Sequence, residues 1–102
     1  MRLSDKQIVA IKECFSTYFN SHSDALWLFG SRVNLTALGG DIDLYIETSN
    51  NNIDEIYQAR INFLCSLKRK IGDQKIDVVL NIDGKNQSAI YEIAKTTGIK
   101  LV

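Results

Sequence analysis

The chain has no excess of charge of either sign: twelve basic and twelve acidic residues give a formal net charge of zero. Proteins drawn onto nucleic acid or anionic lipid by a global field carry a surplus of cations, so neither partner is expected. Long apolar runs are missing as well. Nothing approaches the roughly 20 residues that a membrane helix needs, and none follows Met1, Arg2 and Leu3 in the manner of a secretory leader. A cytosolic protein is the expectation. Cysteine is scarce: Cys14 and Cys65 lie in segments of helical spacing, with no second thiol or histidine at metal-ligand distance in sequence. Both read as reduced, half-buried filler residues. The one histidine, His22, stands in a polar connection and reads as a surface residue.

What is present is enough for one core and little more. With 102 residues and 45% apolar content, a single domain over residues 1–102 is expected, without a separate lobe for a substrate. Chemistry on a large substrate would need something else to hold it.

The periodicities point to an α+β chain. Ser4 to Gln7 fits a capping box, and Ile8, Ile11, Phe15, Tyr18 and Phe19 recur at helical spacing in an element ending near Asn20. Residues 25–29 form a short apolar run stopped by Gly30, as in a strand buried on both faces. Residues 31–40 are small and polar, with room for a helical turn at 33–38. Residues 41–47 alternate strictly and predict a second strand. Asn52 with Glu55 caps a long helix with Ile53, Ile56, Phe63, Leu64, Leu67 and Ile71 on one broad face, closed by Gly72. Residues 75–81 predict a third strand, and Asp83-Gly84 a turn out of it. A last helix over 87–97, with Ile90, Ile93 and Ala94 inward, ends at Gly98 before an apolar tail at 99–102. Helices on a small mixed sheet are the predicted architecture.

The period of a strand is two, so Asp41, Asp43, Tyr45 and Glu47 share one face while Ile42, Leu44 and Ile46 take the other. Asp41 and Asp43 then stand roughly 6.6 Å apart along the backbone, near enough to converge on one ion. Carboxylates without histidine or thiolate suit magnesium or manganese rather than zinc. In the third strand Asp77 interrupts an apolar run, and burying such an acid is costly unless it is paired or metal-bound. If the two strands are neighbours, Asp77 completes a three-carboxylate set. Two ions held by such a set serve an in-line displacement that releases pyrophosphate. Gly30-Ser31 offers close backbone approach and a hydroxyl to a phosphate, with Arg32 beside it.

Leu28-Phe29-Gly30-Ser31-Arg32, nine residues between Ser31 and Asp41, Asp41-Ile42-Asp43-Leu44, and Ile76-Asp77-Val78-Val79 together resemble the signature of the DNA polymerase β type nucleotidyltransferases. The compact length and the Gly-Ser-Arg form look most like the minimal nucleotidyltransferases, often the antitoxin partners of HEPN-type ribonuclease toxins. The resemblance implies the polymerase β-like fold and roles for particular residues. Gly30 and Ser31 would hold the triphosphate, and Arg32 would be an accessory phosphate contact. Asp41 and Asp43 would ligate two magnesium ions, or manganese in their place. Asp77 would ligate the catalytic ion and help deprotonate the acceptor hydroxyl. ATP as nucleotide donor, a tyrosine of a cognate HEPN-type toxin as acceptor, and a hetero-oligomer with that toxin follow from the same resemblance. A non-catalytic module that masks a partner protein, and transfer to a small molecule such as an aminoglycoside, are the competing expectations.

Three other features have plainer readings. Trp27 lies in a continuous apolar run and is expected in the core, not as a base-stacking platform. Tyr45 is expected to pack against a neighbouring strand. Lys68-Arg69-Lys70 complements the dipole at the end of the long helix, in solvent.

Overall fold

A computed structural model of the chain describes residues 3–30, 42–72, 74–82 and 89–102. Among the described residues seven elements follow one another: α1 (Asp5–Tyr18), β1 (Ala25–Phe29), β2 (Ile42–Thr48), α2 (Ile53–Ile71), β3 (Ile76–Ile82), α3 (Ala89–Thr97) and β4 (Ile99–Lys100). The fold is α+β, with a mixed four-stranded sheet in the order β3-β2-β1-β4. β1 is antiparallel to both of its neighbours, and β2 runs parallel to β3.

Local chemistry sets the ends of the helices. The Ser4 hydroxyl accepts the Gln7 N–H at 3.2 Å while the Gln7 side chain accepts the Ser4 N–H at 2.9 Å, completing the capping box of α1. Asn52 caps α2 by accepting the Glu55 N–H at 3.2 Å. Gly72, at φ 90°, returns its N–H to the Lys68 carbonyl at 2.9 Å.

α1 and α2 lie together on one face of the sheet. Ile11, Phe15, Ile56, Phe63 and Leu67 meet Leu26, Leu28, Ile42, Leu44 and Ile46 in one buried cluster. Phe15 stacks on Phe19 with centroids 5.2 Å apart, and Phe19 meets Phe63 edge-on at 5.9 Å. Fully burying each such side chain contributes about 1.5–3 kcal/mol. Asp24 fastens the rim of this layer: its buried carboxylate accepts the Asn20 N–H at 3.0 Å and the Ser49 N–H at 3.1 Å, tying the turn before β1 to the turn after β2.

Two apolar residues expected inward point outward. Ile53 is 57% exposed, because the core side of α2 is taken by Ile56, Phe63 and Leu67 and the first turn overhangs it. Ile93 is 55% exposed, because α3 turns Tyr91 and Ala94 to the sheet and Ile93 lies on the other side. The apolar tail joins the sheet: Ile99 pairs with Leu28 as β4, and the Leu101 N–H reaches the Leu26 carbonyl at 2.8 Å. Neither cysteine is half-buried as expected: Cys14 is buried between α1 and α2 and Cys65 is exposed on the other side of α2, both as free thiols. His22 is exposed. The helical turn at 33–38, the turn at Asp83-Gly84, the start of the last helix at Gln87 and the side chain of Ile90 lie outside the described residues. Among the described residues no helix is long and apolar enough to cross a membrane.

Candidate active site

The alternation of β2 and the registry of its neighbours generate the site. Parallel pairing sets Asp43 directly beside Asp77, and antiparallel pairing sets Phe29 on the other side of Asp43. Neighbouring strands lie about 4.8 Å apart, so the two aspartates form a short row across one end of the sheet. Because β1 runs against β2, its exit into Gly30 falls at that same end. Gly30 has φ 78°, a conformation that L side chains rarely adopt, and a Cβ there would collide with the Asp43 carboxylate, whose Cγ lies 3.0 Å away. Glycine is therefore required twice over: for the backbone turn and for the space the acid occupies.

Asp43 is half-buried and Asp77 is exposed. The cost of burial anticipated for Asp77 does not arise, because it stands near the start of the edge strand β3, before the stretch in which Val79 and the buried Asn81 pack on the same face. The described carboxylates have the chemistry of a divalent-ion site: hard oxygen donors, side by side, with no competing thiolate or imidazole. Among the described residues, no group of three potential ligands comes together. Asp41, Ser31 and Arg32 lie outside the described residues.

Behind the acidic row, the same face carries an aromatic row and then a polar one. Trp27 and Tyr45 are register partners with ring centroids 5.3 Å apart, and Tyr45 stacks on Tyr91 of α3 at 5.3 Å. Both rings are buried, as expected for core residues. The ammonium groups of Lys95 and Lys100 lie over Trp27, 5.5 and 5.6 Å from its centroid. The Tyr45 hydroxyl donates to Glu47 at 2.7 Å and accepts from the buried Asn81 amide at 3.1 Å. Glu47 also pairs with Lys95 at 3.2 Å. Burial, then the hydrogen bond to the Glu47 carboxylate, pushes the Tyr45 phenol well above its ordinary range.

This network escaped the sequence reading, although it bears on the site. Tyr45 belongs to β2 and Asn81 to β3, so their bond pins the register that places Asp43 beside Asp77. A slip of one residue would turn every side chain of one strand to the wrong face. The available signal was Asn81 itself, a polar residue in an apolar strand, two strand periods beyond Asp77 on the same face.

No curated protein matches the chain. A family model described as polymerase beta, nucleotidyltransferase, matches residues 10–102, which takes in the paired aspartates, the glycine turn and every strand of the sheet. The chain belongs to the polymerase β nucleotidyltransferase family, and nucleotidyl transfer is the activity of that family.

Proposed function

We propose that the chain is a minimal nucleotidyltransferase that moves AMP from ATP onto a tyrosine hydroxyl of a cognate HEPN-type toxin, acting as its antitoxin in a cytoplasmic complex. The observation that carries the transfer chemistry is the registry of Asp43 with Asp77 beside a glycine turn that has no room for a Cβ. The choice of acceptor rests on the resemblance of the Gly30-Ser31-Arg32 form to the antitoxin branch.

In this reading Asp41, Asp43 and Asp77 hold two magnesium ions. When bound, the ions neutralise phosphate charge and favour both the attacking and the leaving oxygen of an in-line displacement. Gly30 and Ser31 receive the triphosphate through backbone N–H groups and the serine hydroxyl, and Arg32 adds a cationic contact. Asp77, exposed at the edge of the sheet, takes the proton of the acceptor hydroxyl. A bond forms between the acceptor oxygen and the α-phosphorus, and the bond to pyrophosphate breaks.

The test is incubation of the chain with magnesium, ATP and the toxin encoded beside it, read by mass spectrometry of the toxin. An AMP-sized increase, absent with Asp77→Asn although the complex still forms, supports the proposal. Neutralisation of the toxin by both proteins, with no mass change in either, replaces the enzyme with a masking module. Labelled nucleotide appearing on a small molecule and not on the toxin replaces the acceptor.

A further inference from the structure

The outer side of α2 carries a seam that the fold uses only in part. Asp54, Tyr57, Ile61, Leu64 and Lys68 follow one another at intervals of three, four, three and four, the spacing that keeps residues on one stripe of a helix. Tyr57 is 53% exposed and Ile61 51% exposed, and Leu64 is half-buried against the core, so the seam rises continuously from the packed interior to solvent. Helix stripes of this kind are ordinarily buried against a second helix. The charges at its ends are of opposite sign: Asp54 is in the first turn and Lys68 in the last.

Helix-dipole preference accounts for an acid early and a base late, but not for both standing on the same stripe as the exposed apolar residues. That placement makes the stripe complementary to itself. Turned end for end about Ile61, it sets Asp54 against Lys68 and Ile61 against its own copy, with Tyr57 of each copy one residue out of step with Leu64 of the other. Asp54 and Lys68 are fourteen residues apart, about 21 Å along the axis, so an antiparallel pair gives one ion pair at each end of an apolar centre. A parallel pair would set like charges together.

We propose that α2 is the contact of a two-fold homodimer, formed by antiparallel packing of this stripe on the same stripe of a second copy of the chain. A single helix pair buries less than the roughly 1,200 Å² of a standard interface, so association is weak and concentration-dependent. The described acidic row is on the sheet face opposite the one α2 covers, so the dimer leaves Asp43 and Asp77 open.

Sedimentation velocity over a micromolar to near-millimolar series tests this, with circular dichroism confirming that each variant is folded. The wild-type chain is expected to pass reversibly from monomer to dimer. Ile61→Asp places two carboxylates at the two-fold axis and should weaken the dimer at least about tenfold. Lys68→Glu should weaken it comparably, and adding Asp54→Lys to Lys68→Glu should bring association back to within about threefold of wild type, because the swap restores both end pairs. A wild-type chain that stays monomeric throughout overturns the proposal. So does a dimer indifferent to Ile61→Asp, or a double charge reversal no stronger than Lys68→Glu alone.

Discussion

The two faces of the sheet are made from the same strands on opposite terms. Under α1 and α2, Ile42, Leu44 and Ile46 alternate into a dry cluster with Leu26, Leu28 and Val78. On the other face the intervening residues are Asp43, Tyr45 and Glu47, joined by Asp77 and Asn81 from β3, and α3, of only nine residues, packs on the part around Trp27 and Tyr45. One face supplies cohesion, and the other can therefore hold charge. The proposed chemistry stands where packing is thinnest, and its geometry is borrowed from the strands that the opposite face immobilises.

The comparison breaks most visibly at the acids. With the proposed roles, Asp43→Asn should lower transfer about a thousandfold or more, the scale of losing a preorganised electrostatic contact. Thermal unfolding should shift by no more than about 1 kcal/mol, because a neutral amide beside Asp77 relieves like-charge repulsion. Nucleotide-transfer kinetics with a parallel melting curve check this. A variant that unfolds would mean that the polar face also carries the fold.

The converse change is Phe63→Ala, which empties a fully buried position on the α2 side. Urea denaturation should show a loss of about 3–5 kcal/mol, a large share of what a domain of this size has in total. Transfer per folded molecule should be unchanged. Between these two lies Gly30→Ala, which should cost about 1–3 kcal/mol for the left-handed backbone and also lower transfer, since the new methyl displaces the Asp43 carboxylate. A loss of stability with full transfer would show that the Asp43 position is not critical.

Much of this contrast was legible in the sequence, because period-two alternation in β2 and period-3.6 spacing in α1 and α2 are local properties. Both caps and the shared face of Asp43, Tyr45 and Glu47 follow from them. What was not legible depends on neighbours. β4 is two residues long, too short for any period, and is recognisable only from its pairing with β1. The exposure of Asp77 depends on its place at the start of β3, ahead of the stretch in which Val79 and Asn81 are packed, which the packed structure decides and the residues of β3 do not. Ile53 and Ile93 look like core residues because hydrophobicity states what a side chain prefers, and only the packed structure decides whether there is space to satisfy it. The Tyr45 network was hidden for the same reason, since its partners are two and thirty-six residues away.

That network offers the smallest and most specific test of the contrast. Tyr45→Phe keeps the ring between Trp27 and Tyr91 but removes the hydroxyl that Glu47 and Asn81 share, and should cost about 1–2 kcal/mol near neutral pH. The variant also has a distinct pH signature. The folded protein holds the phenolic proton above the ordinary value of 10.0, because burial and Glu47 disfavour the phenolate. Above that value the unfolded chain releases a proton that the native state retains, so stability is full below it and falls as pH rises. In Tyr45→Phe this contribution is gone, and the stability of the variant should approach that of wild type as the solution becomes alkaline. Urea midpoints measured from pH 8 to 11 check this, with the pH range set by the ordinary tyrosine value of about 10. A gap between the two proteins that stays constant across the series would mean that the folded state does not hold the phenolic proton above its ordinary value, and no gap at any pH would mean that the hydroxyl does not help to pin the register of β2 on β3.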